Sequence, residues 1–205
     1  MSSTGYITSN CIVSNGAVFS SGESLFESAE TDLSAFLLSA YQRFQPNYPK
    51  FYKMDNLSKL GWLASEVLLK NFDKDRYKPE EVGLVLANKN SSLDDDLKYW
   101  ESANEVIASP SLFVYTLPNI VIGEICIRNQ FKGEHTFYIQ DKFDADFITK
   151  QVNFLLDNNI LQTCICGWVD VLGEEYKAAL YLVEKEAGGS AIEFSAGNMN
   201  KVFEL

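Results

Sequence analysis

Histidine is almost missing from this sequence. His135 stands alone among 205 residues, so no mechanism needing two histidines can run within it. Proline is scarce too, at five residues, while 46% of the chain is hydrophobic and 22% charged. That balance excludes a disordered chain, a collagen-like fibre and a coiled coil. Positive charge is short: 17 Lys and Arg stand against 28 Asp and Glu, a net charge of −11. Such a field repels phosphate backbones and anionic lipid, so neither nucleic acid nor a membrane surface is an expected partner. The most apolar stretch, residues 112–127, is interrupted by Thr116, Pro118, Asn119, Gly123 and Glu124. It is too broken for membrane insertion. The opening Met1-Ser2-Ser3-Thr4-Gly5 has no basic patch followed by an apolar core, so no secretory signal is expected and the cytoplasm is the expected compartment.

Cys11, Cys126, Cys164 and Cys166 form neither a disulfide framework nor a zinc-ligand spacing. Cys164 and Cys166 alternate in an apolar run and share one strand face, which suits small buried hydrophobes in a reducing compartment. No metal site and no cofactor are expected. Asp94, Asp95 and Asp96 do not alter this, because consecutive residues do not converge on one helix face. Acids in a first turn complement the helix dipole instead.

The hydrophobic period switches between two and 3.6, which predicts a single mixed α/β domain over residues 1–205. Strands are expected at Tyr6 to Val13 (ending in Ser14-Asn15-Gly16), Val82 to Ala87, His135 to Ile139, Leu161 to Val169 and Ala178 to Glu184. Another is expected at Ser190 to Ser195, joined to the last by Ala187-Gly188-Gly189. Leu33, Phe36, Leu37, Ala40 and Tyr41 mark a helix that Thr31 or Asp32 can cap. A second follows from Asp55-Asn56, with Leu57, Leu60, Ala64, Val67 and Leu68 on one face. Further helices are expected from Leu93 to Trp100, from Pro118-Asn119 to Asn129 and from Phe143 to Leu156.

Three stretches, taken in order, resemble the N-terminal half of a β-ketoacyl synthase, the condensing enzyme of fatty-acid and polyketide synthesis. They are Lys53-Met54-Asp55 with its helix and Val82 to Val85; Ser109 to Asn119 with Gly123 to Arg128; and Phe131-Lys132-Gly133 with the strand, the long helix and Cys166-Gly167-Trp168-Val169-Asp170. The resemblance, over roughly residues 5 to 195, implies half of a thiolase-like fold, with a mixed sheet of about five strands and helices on its faces. It implies that Ser109 to Tyr115 and the helix from Asn119 to Arg128 face a partner or an acyl chain. Phe113, Tyr115, Phe131, Phe137 and Tyr138 would form an apolar wall, although plain core burial explains each one as well. Gly123, in mid-helix, implies a close neighbour, whether helix, strand or partner.

The departures from the family bear on activity. A condensing synthase keeps a nucleophilic cysteine where the strand of His135 meets the next helix, a position whose dipole and amides favour thiolate and oxyanion. Counted from Gly133, that position falls on Lys142, and residues 138–144 hold no Cys, Ser or Thr. The two histidines of the family's second half have no counterpart, and His135 is expected to be a partly buried strand residue. The resemblance is therefore to short, chain-length-factor-type members that pair with a competent synthase, including those of aryl-polyene and flexirubin-type pigment systems. No catalytic residue is assigned. The expected partner is a full-length β-ketoacyl synthase or a second copy, because a lone half leaves an apolar face uncovered.

Two alternatives stay open. Lys142 among Asp141, Asp144 and Asp146 could poise an acid or base for a divergent acyl-processing enzyme, or form a solvated helix start in which Asp141 or Asp144 caps amides. An acidic acyl carrier protein could dock on Lys50, Lys53 and Lys59, or on Lys70, Lys74, Arg76 and Lys78.

Overall fold

Residues 5–104, 109–186 and 191–205 are described in a computed structural model of the chain. The period-two segments become strands β1 (Tyr6–Ser14), β2 (Ala17–Ser20), β3 (Glu23–Glu27), β4 (Val82–Asn88), β5 (His135–Ile139), β6 (Thr163–Leu172), β7 (Glu175–Glu184) and β8 (Ile192–Glu193). They form one sheet in the order β3-β2-β1-β7-β6-β4-β5, with β8 against β1. β4 pairs in parallel with β5 and β6, and the other pairings are antiparallel. The sheet is mixed, as expected, but larger. Two-residue loops, Asn15-Gly16 and Ser21-Gly22, carry positive φ at both positions and fold β1, β2 and β3 into consecutive hairpins.

The period-3.6 segments become α1 (Leu33–Phe44), α2 (Asn56–Leu68), α3 (Leu93–Ala103), α4 (Pro110–Phe113), α5 (Ile120–Asn129), α6 (Ala145–Asp157) and α7 (Ala196–Phe203). Carboxylates cap three of them. Asp32 accepts from the Ala35 amide at 2.7 Å, Asp55 from the Leu57 and Ser58 amides, and Asp144 from the Phe147 amide at 2.9 Å. On one face of the sheet α2 is buried on nearly every side between β1, β6, β7 and α5. Gly61 makes this possible: a Cβ there would run into the Val121 side chain of α5. The core on this side includes Phe36, Trp62, Leu84, Ile165 and Leu180.

The opposite face is packed by α6, with Ile148, Val152 and Leu156 on Cys164, Cys166, Trp168 and Tyr181. Cys164 and Cys166 do share this face, both fully buried. Helix α7 completes the layer. Met199 is fully buried, the Tyr181 hydroxyl donates to the Met199 carbonyl at 2.8 Å, and Phe203 stacks on Phe143 with ring centroids 4.1 Å apart. On this side the chain's own Phe194, Met199, Val202 and Phe203 help to cover the sheet.

The last strands differ from expectation as well. β7 starts at Glu175 and forms a hairpin with β6 through the turn at Gly173. β8 covers only Ile192–Glu193 and pairs with β1 rather than β7. The expected turn Ala187-Gly188-Gly189 and Ser190 lie outside the described residues.

Candidate functional site

The turn from β5 to α6 lies at the carboxyl ends of parallel strands, where α/β sheets commonly bind ligands. Gln140 donates its amide to the Asn88 carbonyl at 2.8 Å, tying this turn to the end of β4. Asp141, Lys142, Asp144 and Asp146 are all exposed. Asp144 is the helix cap, and Lys142 makes no ion pair among the described residues. The carboxylates do not enclose the lysine, so the geometry gives no poised acid–base pair. It matches the solvated helix start.

The five aromatics read as one wall are dispersed. Phe137 and Tyr138 are neighbours on a strand and point to opposite faces. Phe137 packs beside the α2 core, whereas Tyr138 donates its hydroxyl to Gln151 at 3.2 Å and meets Phe147 edge-on. Phe131 and Tyr115 are buried in the α2 core, at 6% and 8% exposure. Phe113 is open to solvent, at 60%. The five are thus divided between the two faces of the sheet and solvent and do not form one continuous wall. Asn119 is exposed just ahead of α5, and a Cβ on Gly123 would meet nothing within 4 Å. Among the described residues neither a helix nor a strand sits against Gly123, which leaves a partner as the expected neighbour. Asn119, Gly123 and Ile127 form an open stripe along α5, with Ile127 63% exposed.

Exposed apolar side chains gather in residues 93–117: Leu93, Leu97, Trp100, Phe113, Val114 and Leu117 are 41–67% exposed. Leu93, Leu97 and Trp100 follow i, i+4, i+7 spacing, so α3 turns an apolar stripe outward. The only residue it buries is Asp95. Tyr99 and Phe113 meet at 5.5 Å between centroids, and Ser92 donates to the Thr116 carbonyl at 2.9 Å. These contacts hold α4 and its loop beside α3.

The sheet's two edges differ. β3 is guarded: Glu23 and Glu27 sit at its ends, and its register against β2 shifts at Val18/Phe19. β5, His-Thr-Phe-Tyr-Ile, has no Asp, Glu, Lys or Arg and keeps an unbroken register with β4. His135, Thr136 and Ile139 are exposed on it. The expected partial burial of His135 is not met, because its strand is the rim of the sheet.

The basic residues divide between two places. Lys50 is committed to the interior, pairing with buried Glu124 at 2.8 Å, while the Tyr115 hydroxyl donates to the same carboxylate at 3.4 Å. Burial lowers the Lys59 pKa from its usual range. Lys70 and Lys74 line a cleft of about 400 Å³ together with Arg128, whose guanidinium is held by Glu66 at 3.0 Å. Arg128 reaches this cleft from α5, a distance in sequence that charge counting along the chain does not reveal. Arg76 is drawn to Glu186 and Glu184, and Lys78 to Glu81. Among the described residues no group of three His, Cys, Asp or Glu could hold a metal ion, and no helix is long and apolar enough to cross a membrane.

No protein-family model and no curated protein matches the sequence. Solved structures do match the fold. The ishigamide ketosynthase/chain length factor superposes with a TM-score of 0.64 at 15% identity over 91% of this chain. A type II polyketide-synthase acyl-carrier protein in complex with its ketosynthase bound to the hexaketide (AntDE:AntF) gives 0.60 at 14% over 90%. The ketosynthase ApeO in complex with its chain length factor ApeC, from Xenorhabdus doucetiae, gives 0.57 at 12% over 90%. The chain spans 63% of the matched chain in the first two and 80% in the third. At these identities the likeness establishes the fold, that of thiolase-like ketosynthase and chain-length-factor chains.

Proposed function

We propose that this chain is a non-catalytic, chain-length-factor-like domain that docks on a β-ketoacyl synthase of a polyketide or fatty-acid type condensing system, working in the cytoplasm. The observation that carries the reading is the unguarded edge β5, which among the described residues pairs only with β4 and leaves one row of backbone donors and acceptors free, while α3, α4 and α5 each expose apolar side chains. Proteins keep such edges charged, bulged or covered unless they use them. The residues at the β5–α6 turn support the non-catalytic part, since Gln140 to Asp144 offer no thiol or hydroxyl nucleophile. The solved neighbours, complexes of a ketosynthase with a chain length factor or a carrier protein, support the kind of partner. Phe113, Asn119, Gly123 and Ile127 belong to the docking surface in this reading.

Co-expression of the tagged chain with the full-length β-ketoacyl synthases of its own organism, followed by native mass spectrometry, tests it. A stoichiometric heteromer is expected. Absence of any complex with a synthase contradicts the proposal, and a homo-oligomer alone replaces the synthase with a second copy.

A second reading rests on the Lys70–Lys74–Arg128 cleft, a local positive site on a chain of net charge −11. An acidic acyl carrier protein would dock there. Reversing Lys70 and Lys74 to Glu is expected to abolish carrier binding measured by titration at low salt, and unchanged binding rules the cleft out.

A further inference from the structure

Helix α3 is packed inside-out. Leu93, Leu97 and Trp100 face solvent, while Asp95, at 2% exposure, is the one residue it buries. The Asp95 Oδ2 has no hydrogen-bond partner. α3 packs against α2, where Asp55 caps the helix start and brings a second carboxylate toward Asp95. Among the described residues the other charges acting on Asp95 are on its own helix. Lys98 favours ionisation but is drawn to Asp94 at 2.6 Å, and Asp94 and Asp96 oppose it. Lys59 of α2 is engaged with Asp55. Asp170 of β6 is occupied by the Lys89 and Asn90 amides, and the Asp96 carboxylate accepts from Ser92 at 3.2 Å. The helix dipole at this first-turn position and Lys98 favour the carboxylate, but burial and the facing Asp55, Asp94 and Asp96 outweigh them and favour the acid.

We infer that the protonation state of Asp95 controls how firmly α3 is seated on α2, and with it how the apolar stripe Leu93–Leu97–Trp100 is held for a partner. The coupling to a partner rests on the docking reading above, whereas the seating does not. Burial is the main force raising the Asp95 pKa, to about 7, with Asp55 adding to it. A lifted α3 would give Asp95 back to water, where a carboxylate titrates near 4. The seated form therefore binds the extra proton, and seating weakens as pH rises from about 4 to about 7, then levels off.

Amide hydrogen exchange of residues 93–104 in the free chain, corrected for intrinsic rates, tests the seating with no partner present. Between about pH 5 and about pH 7 the opening equilibrium is expected to rise by up to about tenfold per pH unit and to flatten above. Asp95→Asn, neutral at every pH, is expected to remove most of the slope, leaving only the part that belongs to Asp55, whose carboxyl burial also raises. Asp55→Asn keeps the helix cap and removes the facing charge, so the flattening is expected at lower pH. A flat wild-type profile overturns the inference, as does an Asp95→Asn slope equal to wild type or an Asp55→Asn profile that does not move. Failure of synthase binding with these profiles as expected would overturn the docking reading and leave the seating intact.

Discussion

Two glycines at comparable places in helices are set in opposite surroundings, and the same substitution separates them. At Gly61 a methyl would strike Val121 and press on Val169, so Gly61→Ala is expected to cost about 1–3 kcal/mol by overpacking α2 against α5. At Gly123 a methyl meets open space, so Gly123→Ala is expected to stabilise the free chain by about 0.5–1 kcal/mol. Thermal unfolding would show this as a rise of about 2–4 °C per kcal/mol in a chain of this size. If α5 docks through Asn119, Gly123 and Ile127, the stabilised variant also binds its partner more weakly. The ion pair of Lys50 with buried Glu124 gives a further residue-scale expectation. Lys50→Met leaves that carboxylate unpaired and is expected to cost about 2–3 kcal/mol in denaturant unfolding, less than a fully buried pair because Lys50 is 43% exposed. Adding Glu124→Leu should recover most of the loss, since an apolar side chain can replace the pair.

Elements were legible in the sequence wherever a strong period coincided with a burial partner. Leu57, Leu60, Ala64, Val67 and Leu68 outlined α2, and the uninterrupted apolar run of β4 marked a strand buried on both faces. The β2–β3 hairpins were harder to read: four- and five-residue strands have too few alternations to register, and the signal lay in Asn15-Gly16 and Ser21-Gly22. Helix α7 has only eight residues, and its sole buried member, Met199, is fixed by contacts with β7 and α6 that are remote in sequence. Ser195 as cap, accepting from the Asn198 amide at 3.3 Å, was the available clue. The candidate site was legible as segments rather than as a surface. Ser109 to Tyr115, Asn119 and Gly123 were singled out, but the outward stripe of α3 was not, because the period of Leu93, Leu97 and Trp100 marks a helix without saying which way its apolar face turns. Met199→Ala is expected to cost about 2–4 kcal/mol if α7 closes the α6 face as described. A loss under about 1 kcal/mol by denaturant titration would make α7 a loosely attached tail.

At the scale of the whole molecule, the described residues cover both faces of the sheet and guard one edge, which leaves β5 as the open edge and Leu93, Leu97, Trp100, Phe113, Val114 and Leu117 as exposed apolar surface. An exposed apolar patch or an uncharged edge strand is an association site or an aggregation liability. A single charge on the rim should remove it: Ile139→Lys, at a position 52% exposed, is expected to leave unfolding unchanged within about 0.5 kcal/mol and to disrupt the synthase complex. The most direct test of the account is hydrogen exchange across Thr136 to Ile139, measured in the free chain and after adding a β-ketoacyl synthase that binds it. Protection of these β5 amides in the complex is the result the account predicts. A complex that forms while β5 exchanges as fast as in the free chain would contradict it.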